Sequence, residues 1–116
     1  MKNKIDYDNY ILPANNLNKA KKFYRDLLGL PIKFDFSEKG MVAFKVGNNE
    51  PAIILREGKN VQPTIILKVE DVKTSFQELK ELGVQFLSQP FKITTGLFVE
   101  FLDPFGNKLA ITDYSK

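Results

Sequence analysis

A chain of 116 residues with 43% hydrophobic and 27% charged side chains has the length of one domain and the composition of an ordinary globular protein. It contains neither cysteine nor histidine, which excludes a disulfide scaffold, thiolate zinc sites, a cysteine nucleophile and the imidazole that most often serves as base or transition-metal ligand. The formal charge of +3 comes from scattered lysines, and no apolar run approaches the ~20 residues of a membrane span or forms the core of a signal peptide. The expectation is a single domain over 1–116, cytoplasmic, with neither a membrane nor a nucleic acid as partner.

Residues 7–14 alternate, with Tyr10, Leu12 and Ala14 facing one way and Asn9, Ile11 and Pro13 the other, as in a half-buried strand. Asn15 or Asn16 is placed to cap a helix over about 17–28, and Gly29 stops it. Lys19, Lys21, Lys22 and Arg25 then fall on the solvent side of a stripe made by Ala20, Phe23, Tyr24 and Leu27, a solvated face rather than a nucleic-acid patch. Strands are expected at Ile32–Phe36, Met41–Val46 and Ala52–Leu55, separated by turns at Ser37–Gly40 and Gly47–Pro51.

After a polar joint over Arg56–Gln62 the order repeats 55 residues on, Thr64 standing where Asn9 stood. A strand at 64–69 leads to Glu70 or Asp71 as cap, a helix of about 72–82 and a stop at Gly83. Val84–Leu87 is the next expected strand, Ser88–Gly96 a long polar loop, and Leu97–Leu102 with Lys108–Asp113 a hairpin. The two modules, about 5–56 and 62–114, are thus each β-α-β-β-β. The predicted fold class is α+β, two tandem modules of mixed sheet with the helices on one side.

The hairpin turn Asp103-Pro104-Phe105-Gly106 has Asp first, Pro second and Gly where φ must be positive. That turn makes Leu102 face Lys108, Phe101 face Leu109 and Glu100 face Ala110. Val99, Phe101, Leu109 and Ile111 become a wholly apolar face for the helix side, and a slip of one residue would mix the two faces. The opposite face collects Asn9, Thr64, Lys68, Glu100, Lys108 and Thr112 among small apolar residues, a surface suited to a small organic molecule. Phe91 and Phe98 flank the Thr94-Thr95-Gly96 segment and are the aromatic candidates for ligand contact.

Asn16-Leu17, Phe23-Tyr24, Leu28-Gly29, Val69-Glu70-Asp71, Leu82-Gly83 and Asp103-Pro104-Phe105-Gly106-Asn107 together resemble the vicinal-oxygen-chelate superfamily of glyoxalases, bleomycin-resistance proteins and extradiol dioxygenases. The resemblance covers nearly the whole chain and implies paired modules forming an open, cup-shaped mixed sheet with helices on the outer face, usually completed in a homodimer. It places a histidine ligand at Asn9 and at Thr64, and a glutamate ligand at Ile53 or Ile54 and at Ala110. None of these side chains is a good ligand for zinc, iron or nickel, so no metal and no cofactor is expected. Glu100 stands one strand away from the lost glutamate as a candidate general base, or as the partner of Lys108 or Lys68.

The resulting expectation is a glyoxalase/bleomycin-resistance-like protein without the family metal site, holding a small organic ligand. Asn9, Thr64, Lys68, Phe91, Phe98, Glu100, Lys108 and Thr112 are the expected contacts. One alternative is a metal-independent lyase or isomerase with Glu100 as catalytic base. The other is a structural or interaction module whose cup is filled by its own side chains.

Overall fold

The computed structural model describes residues 5–47 and 51–115. The chain divides into two compact units, Asp8–Pro63 and the described residues from Thr64 onward together with Ile5–Tyr7. The fold is α+β, and each unit carries one strand-helix-strand series. Among the described residues no helix is long and apolar enough to cross a membrane.

In the first module β1 (Asp6–Pro13) leads through α1 (Leu17–Lys21) to β2 (Ile32–Phe36), β3 (Met41–Lys45) and β4 (Ala52–Arg56). The strand order is β2-β3-β4-β1, with β1 and β4 parallel and the other neighbours antiparallel. Asn16 is the cap, its side-chain oxygen accepting from the Lys19 N–H at 3.0 Å. The turn expected at Gly47–Pro51 lies partly outside the described residues.

The helix expected over 17–28 is α-helical only to Lys21; Lys22–Leu27 continues it as a π-helix. The Leu28 N–H accordingly donates to the carbonyl of Phe23, five residues back, at 3.0 Å. A stripe drawn at 3.6 residues per turn does not survive this widening. Leu17 and Ala20 are buried and Tyr24 stacks on Phe44 with ring centroids 5.3 Å apart. Phe23 and Leu27, expected to face inward, are 49% and 76% exposed. The core is Leu17, Ala20, Val42, Phe44 and Leu55, with Leu12, Ala14 and Ile53 packed against it. Ile11, Phe34 and Met41 pack with Ala43, Ala52 and Ile54 on the opposite sheet face.

In the second module β5 (Thr64–Lys68) is followed by α2 (Val72–Glu81), β6 (Gln85–Phe86), β7 (Phe91–Ile93), β8 (Gly96–Leu102) and β9 (Lys108–Thr112). β9 pairs parallel with β5 and antiparallel with β8, and β8 also pairs with both β6 and β7. Asp71 caps α2, accepting from the Thr74 N–H at 3.3 Å. Val69, Val72, Phe76, Val99 and Ile111 form the core, extended by the ring series Phe76–Phe86 at 4.6 Å and Phe86–Phe101 at 5.4 Å.

The stretch expected as a long loop is shorter than its polarity suggested. Phe91–Ile93 pair with β8, Phe91 opposite Phe98 and Ile93 opposite Gly96, so only Thr94-Thr95 turn the chain. Backbone pairing supplied by β8 overrides a weak local signal. The strand that is continuous as β2 in the first module is thus broken in the second into β6 and β7. The closing hairpin has the predicted register, with Leu102 opposite Lys108, Phe101 opposite Leu109 and Glu100 opposite Ala110. Its turn is closed by Gly106 N–H to Asp103 O at 3.1 Å and Asp103 N–H to Asn107 O at 3.0 Å, with Gly106 at φ +84°.

Candidate functional site

The pairings of β5, β9 and β8 set a small grid on the sheet face away from α2. One row holds Thr64, Lys108 and Leu102; the next holds Ile66, Ala110 and Glu100; the third holds Lys68, Thr112 and Phe98, with Phe91 beyond it on β7. Rows are about 7 Å apart and neighbouring strands about 4.8 Å, so the three-by-three face has the footprint of one small molecule. The second module therefore brings together seven of the eight sequence-predicted contacts by register alone.

The floor of this face is closed and its third row is open at the ends. Thr64, Ile66, Ala110 and Thr112 are buried, whereas Lys68 and Phe91 are exposed and Phe98 is half-buried. The Phe91 and Phe98 rings lie 5.7 Å apart in a tilted arrangement. The Lys108 ammonium sits 3.1 Å from Glu100, the two side chains 19% and 28% exposed, so the carboxylate is held by a charge from the adjacent strand. Thr112 donates its hydroxyl to the Leu97 carbonyl at 2.9 Å. Lys68 holds its ammonium 5.8 Å from the centre of the Tyr114 ring.

Asn9, the remaining predicted contact, belongs to the first module. Its side-chain oxygen accepts from the Ala52 N–H at 3.1 Å and its amide donates to Asp8 at 3.2 Å, so it knits β1 to β4. Asn9 pairs with Ala52 and Ile11 with Ile54, as Thr64 pairs with Lys108 and Ile66 with Ala110. That parallel resolves the choice between Ile53 and Ile54: Ile54 is the counterpart of Ala110, while Ile53 packs into the helix-side core.

The four positions that the family resemblance assigns to metal ligands carry an amide already bonded to backbone, an isoleucine, a buried threonine and an alanine. Among the described residues no three His, Cys, Asp or Glu side chains are grouped to hold an ion. Borderline transition metals need imidazole, thiolate or several carboxylates, so this donor set does not fit the family's metal.

Three residues that sequence reasoning passed over organise the open end of the site. Asp113, just past β9, accepts from the Val72 N–H at 2.8 Å, from the Leu97 N–H at 3.1 Å and from the Ser115 N–H at 2.9 Å. Burial works against its charge, but these donors outweigh it and hold the carboxyl below its ordinary value. Gly96 permits the crossing of the chain end, since a Cβ there would lie 2.4 Å from the Ser115 nitrogen and 2.9 Å from the Asp113 carboxylate. Tyr114 follows with φ +55°, a conformation uncommon for a residue with a side chain. The only trace of this in the sequence is an acidic residue directly after a strand, which carries no signal of its three distant partners.

A concavity of about 360 Å³ lies on the other side of this module between the end of α2 and the segment after it, lined by Phe76, Lys80, Val84, Phe86, Leu87, Ser88 and Gln89. It contains none of the predicted contacts.

The chain is similar to two proteins of Bacillus subtilis (strain 168). One is the uncharacterized protein YraH, at 29% identity over 86% of this chain and 91% of the relative. The other is the uncharacterized protein YetH, at 25% over 77% and 82%. Its fold is that of a hypothetical protein, BH1468, from Bacillus halodurans C-125 (TM-score 0.75, 20% identity, 97% of this chain and 94% of the other). It is also that of methylmalonyl-CoA epimerase from Mycobacterium tuberculosis (TM-score 0.75, 16% identity, 92% and 86%). The profile of the glyoxalase/bleomycin resistance protein/dioxygenase superfamily matches residues 6–111, spanning both modules with their paired strands and capped helices, and the chain belongs to that superfamily.

Proposed function

We propose that this superfamily member binds a small organic molecule at the sheet face of its second module that lies away from α2, entered from its open third row, and does so without a metal. The observation that carries the reading is the grid itself. An apolar floor of Ile66 and Ala110 is bordered by one ion pair, Glu100 with Lys108, and by an aromatic pair, Phe91 with Phe98. A few fixed polar groups over an apolar base are what orient a bound molecule. Glu100 acts here as an anchor, because its charge is committed to Lys108 and is fixed in direction by it. Lys68, Thr112 and Thr64 complete the polar set, and Asn9 supports the first module's sheet. The protein works as a homodimer in this reading, in the cytoplasm.

A second reading, a metal-independent lyase or isomerase, is favoured by one fact. Glu100 is the single carboxylate of the described grid and sits at its edge, 28% exposed, where a substrate proton can reach it.

A thermal-shift screen of metabolites and divalent ions tests the proposal. Saturation at about 100 times the dissociation constant adds about 2.7 kcal/mol to stability and raises the midpoint by several degrees. An organic ligand is expected to do so, with its shift reduced by Phe98→Ala. A large upward shift with zinc, nickel or manganese instead sinks the metal-free assignment. Once a ligand is found, Glu100→Gln separates the readings: a loss of affinity marks an anchor, and a loss of turnover at unchanged affinity marks a base.

A further inference from the structure

The two ammonium groups of the second-module face are in different electrostatic situations. Lys108 is neutralised by Glu100 at 3.1 Å. Lys68 is exposed, and among the described residues no carboxylate pairs with it; its ammonium rests only against the Tyr114 ring. A ring face offers an ammonium no lone-pair acceptor, so N–H donors remain for an anion. The face therefore presents one uncompensated positive charge, and it lies at the end of the row that is open.

That row is otherwise aromatic. Register places Lys68 beside Thr112, Thr112 beside Phe98 and Phe98 beside Phe91. Two strand spacings separate the backbones of Lys68 and Phe98, about 10 Å, a span that a lysine side chain and a molecule the size of an aryl acid cover together. The backbone that carries Tyr114 is held at the cationic end by the Asp113 bonds to Leu97 and Ser115, by the missing side chain at Gly96 and by its own left-handed conformation. Backbone held in a sparsely populated region by several independent constraints is a recurrent feature of ligand clamps.

Building on the proposed ligand-binding reading, we infer that the molecule taken by this face is an aryl carboxylate, with the Lys68 ammonium as its anion anchor, Phe98 and Phe91 as the shelf for its ring and Tyr114 as the residue that positions Lys68.

Titration of the full chain with phenylacetate, and with neutral phenylacetamide of the same shape, followed by amide NMR shifts, tests this. Phenylacetate is expected to perturb Lys68, Phe98, Thr112 and Tyr114 and to bind at least tenfold more tightly than the amide. Raising the salt should narrow the difference, since an exposed charge pair is screened. Lys68→Met should abolish the preference for the anion, Lys68→Arg should keep it, and Tyr114→Leu should weaken phenylacetate more than phenylacetamide. Equal affinity for both compounds on the same residues would overturn the anion anchor and leave the binding face standing. A preference for the anion that survives Lys68→Met would also overturn it, by moving the anchor to another cation. If neither compound perturbs this face, or both perturb Phe76, Lys80 and Leu87 instead, the anchor and the binding face fall together.

Discussion

Asp113 shows how much one side chain at a strand end can organise. Its carboxylate takes the first free N–H of α2 at Val72, the N–H of Leu97 in β8 and that of Ser115, joining three segments distant in sequence. Hydrogen bonds to a charged acceptor contribute about 1.5–3 kcal/mol each, and donors left buried without a partner cost about as much as they had contributed. Asp113→Ala is therefore expected to destabilise the protein by about 3 kcal/mol in chemical denaturation. Asp113→Asn should follow closely, because its amide turns a donor towards one of these N–H groups. The folded carboxyl lies below its ordinary 3.8, so its stabilisation is fully present above that value. It is lost as pH falls through the lower folded value. The wild type should lose stability steeply below 3.8, where Asp35, brought down to about 2 by Lys21 and Ser37, and Asp103, lowered first by Asn107, titrate as well. A pH series in which Asp113→Asn runs parallel to the wild type through that range would refute the assignment.

Among the elements, the first helix is the place where sequence pattern and structure part. Its start was legible, because an asparagine can accept from the free N–H groups of a first turn, and Asn16 does so. Its inward face was not. The reading of Phe23 and Leu27 as core rested on 3.6 residues per turn, and the π segment Lys22–Leu27 turns Leu27 out to 76% exposure. Leu27→Lys is expected to change stability by no more than about 0.5 kcal/mol, whereas a core-facing leucine would cost about 2–5 kcal/mol on truncation. Urea denaturation distinguishes the two directly. The hairpin gives the opposite lesson. Asp103, Pro104 and Gly106 specify the turn by local chemistry, Asp103 accepting from the N–H groups of Phe105 and Asn107 at 2.8 Å, and the register follows with no help from distant contacts. β7 was missed because Phe91–Ile93 owes its extended form to pairing with β8, not to its own composition.

For the whole molecule, the repeat is the organising fact. Both modules keep a capped helix, a parallel pair between first and last strands, and the same helix-side packing. The other faces have diverged. The first module is apolar at Ile11, Ala43 and Ile54, where the second carries Ile66, Glu100 and Ala110. A kept scaffold with altered site residues explains how the family is recognisable although the positions that the resemblance assigns to metal ligands hold Asn9, Ile54, Thr64 and Ala110. The exposed Leu82 and Phe105 in the second module, and Leu27 and Leu28 in the first, are compatible with the proposed homodimer. Light scattering coupled to gel filtration is expected to give twice the 13.3 kDa chain mass, and a monomer at micromolar concentration would reject it.

The sequence by itself determined the repeated order of elements, the caps, the hairpin register and the absence of histidine and cysteine. Each of these depends on interactions within a few residues or on residue types alone. Only the tertiary structure decided that Glu100 is paired with Lys108, that Lys68 lies against Tyr114, and that Asp113 binds the starts of α2 and β8. Those contacts join residues on different strands and at the chain end. Their geometry is set by pairing and packing, and no local pattern encodes which charged group will find which partner.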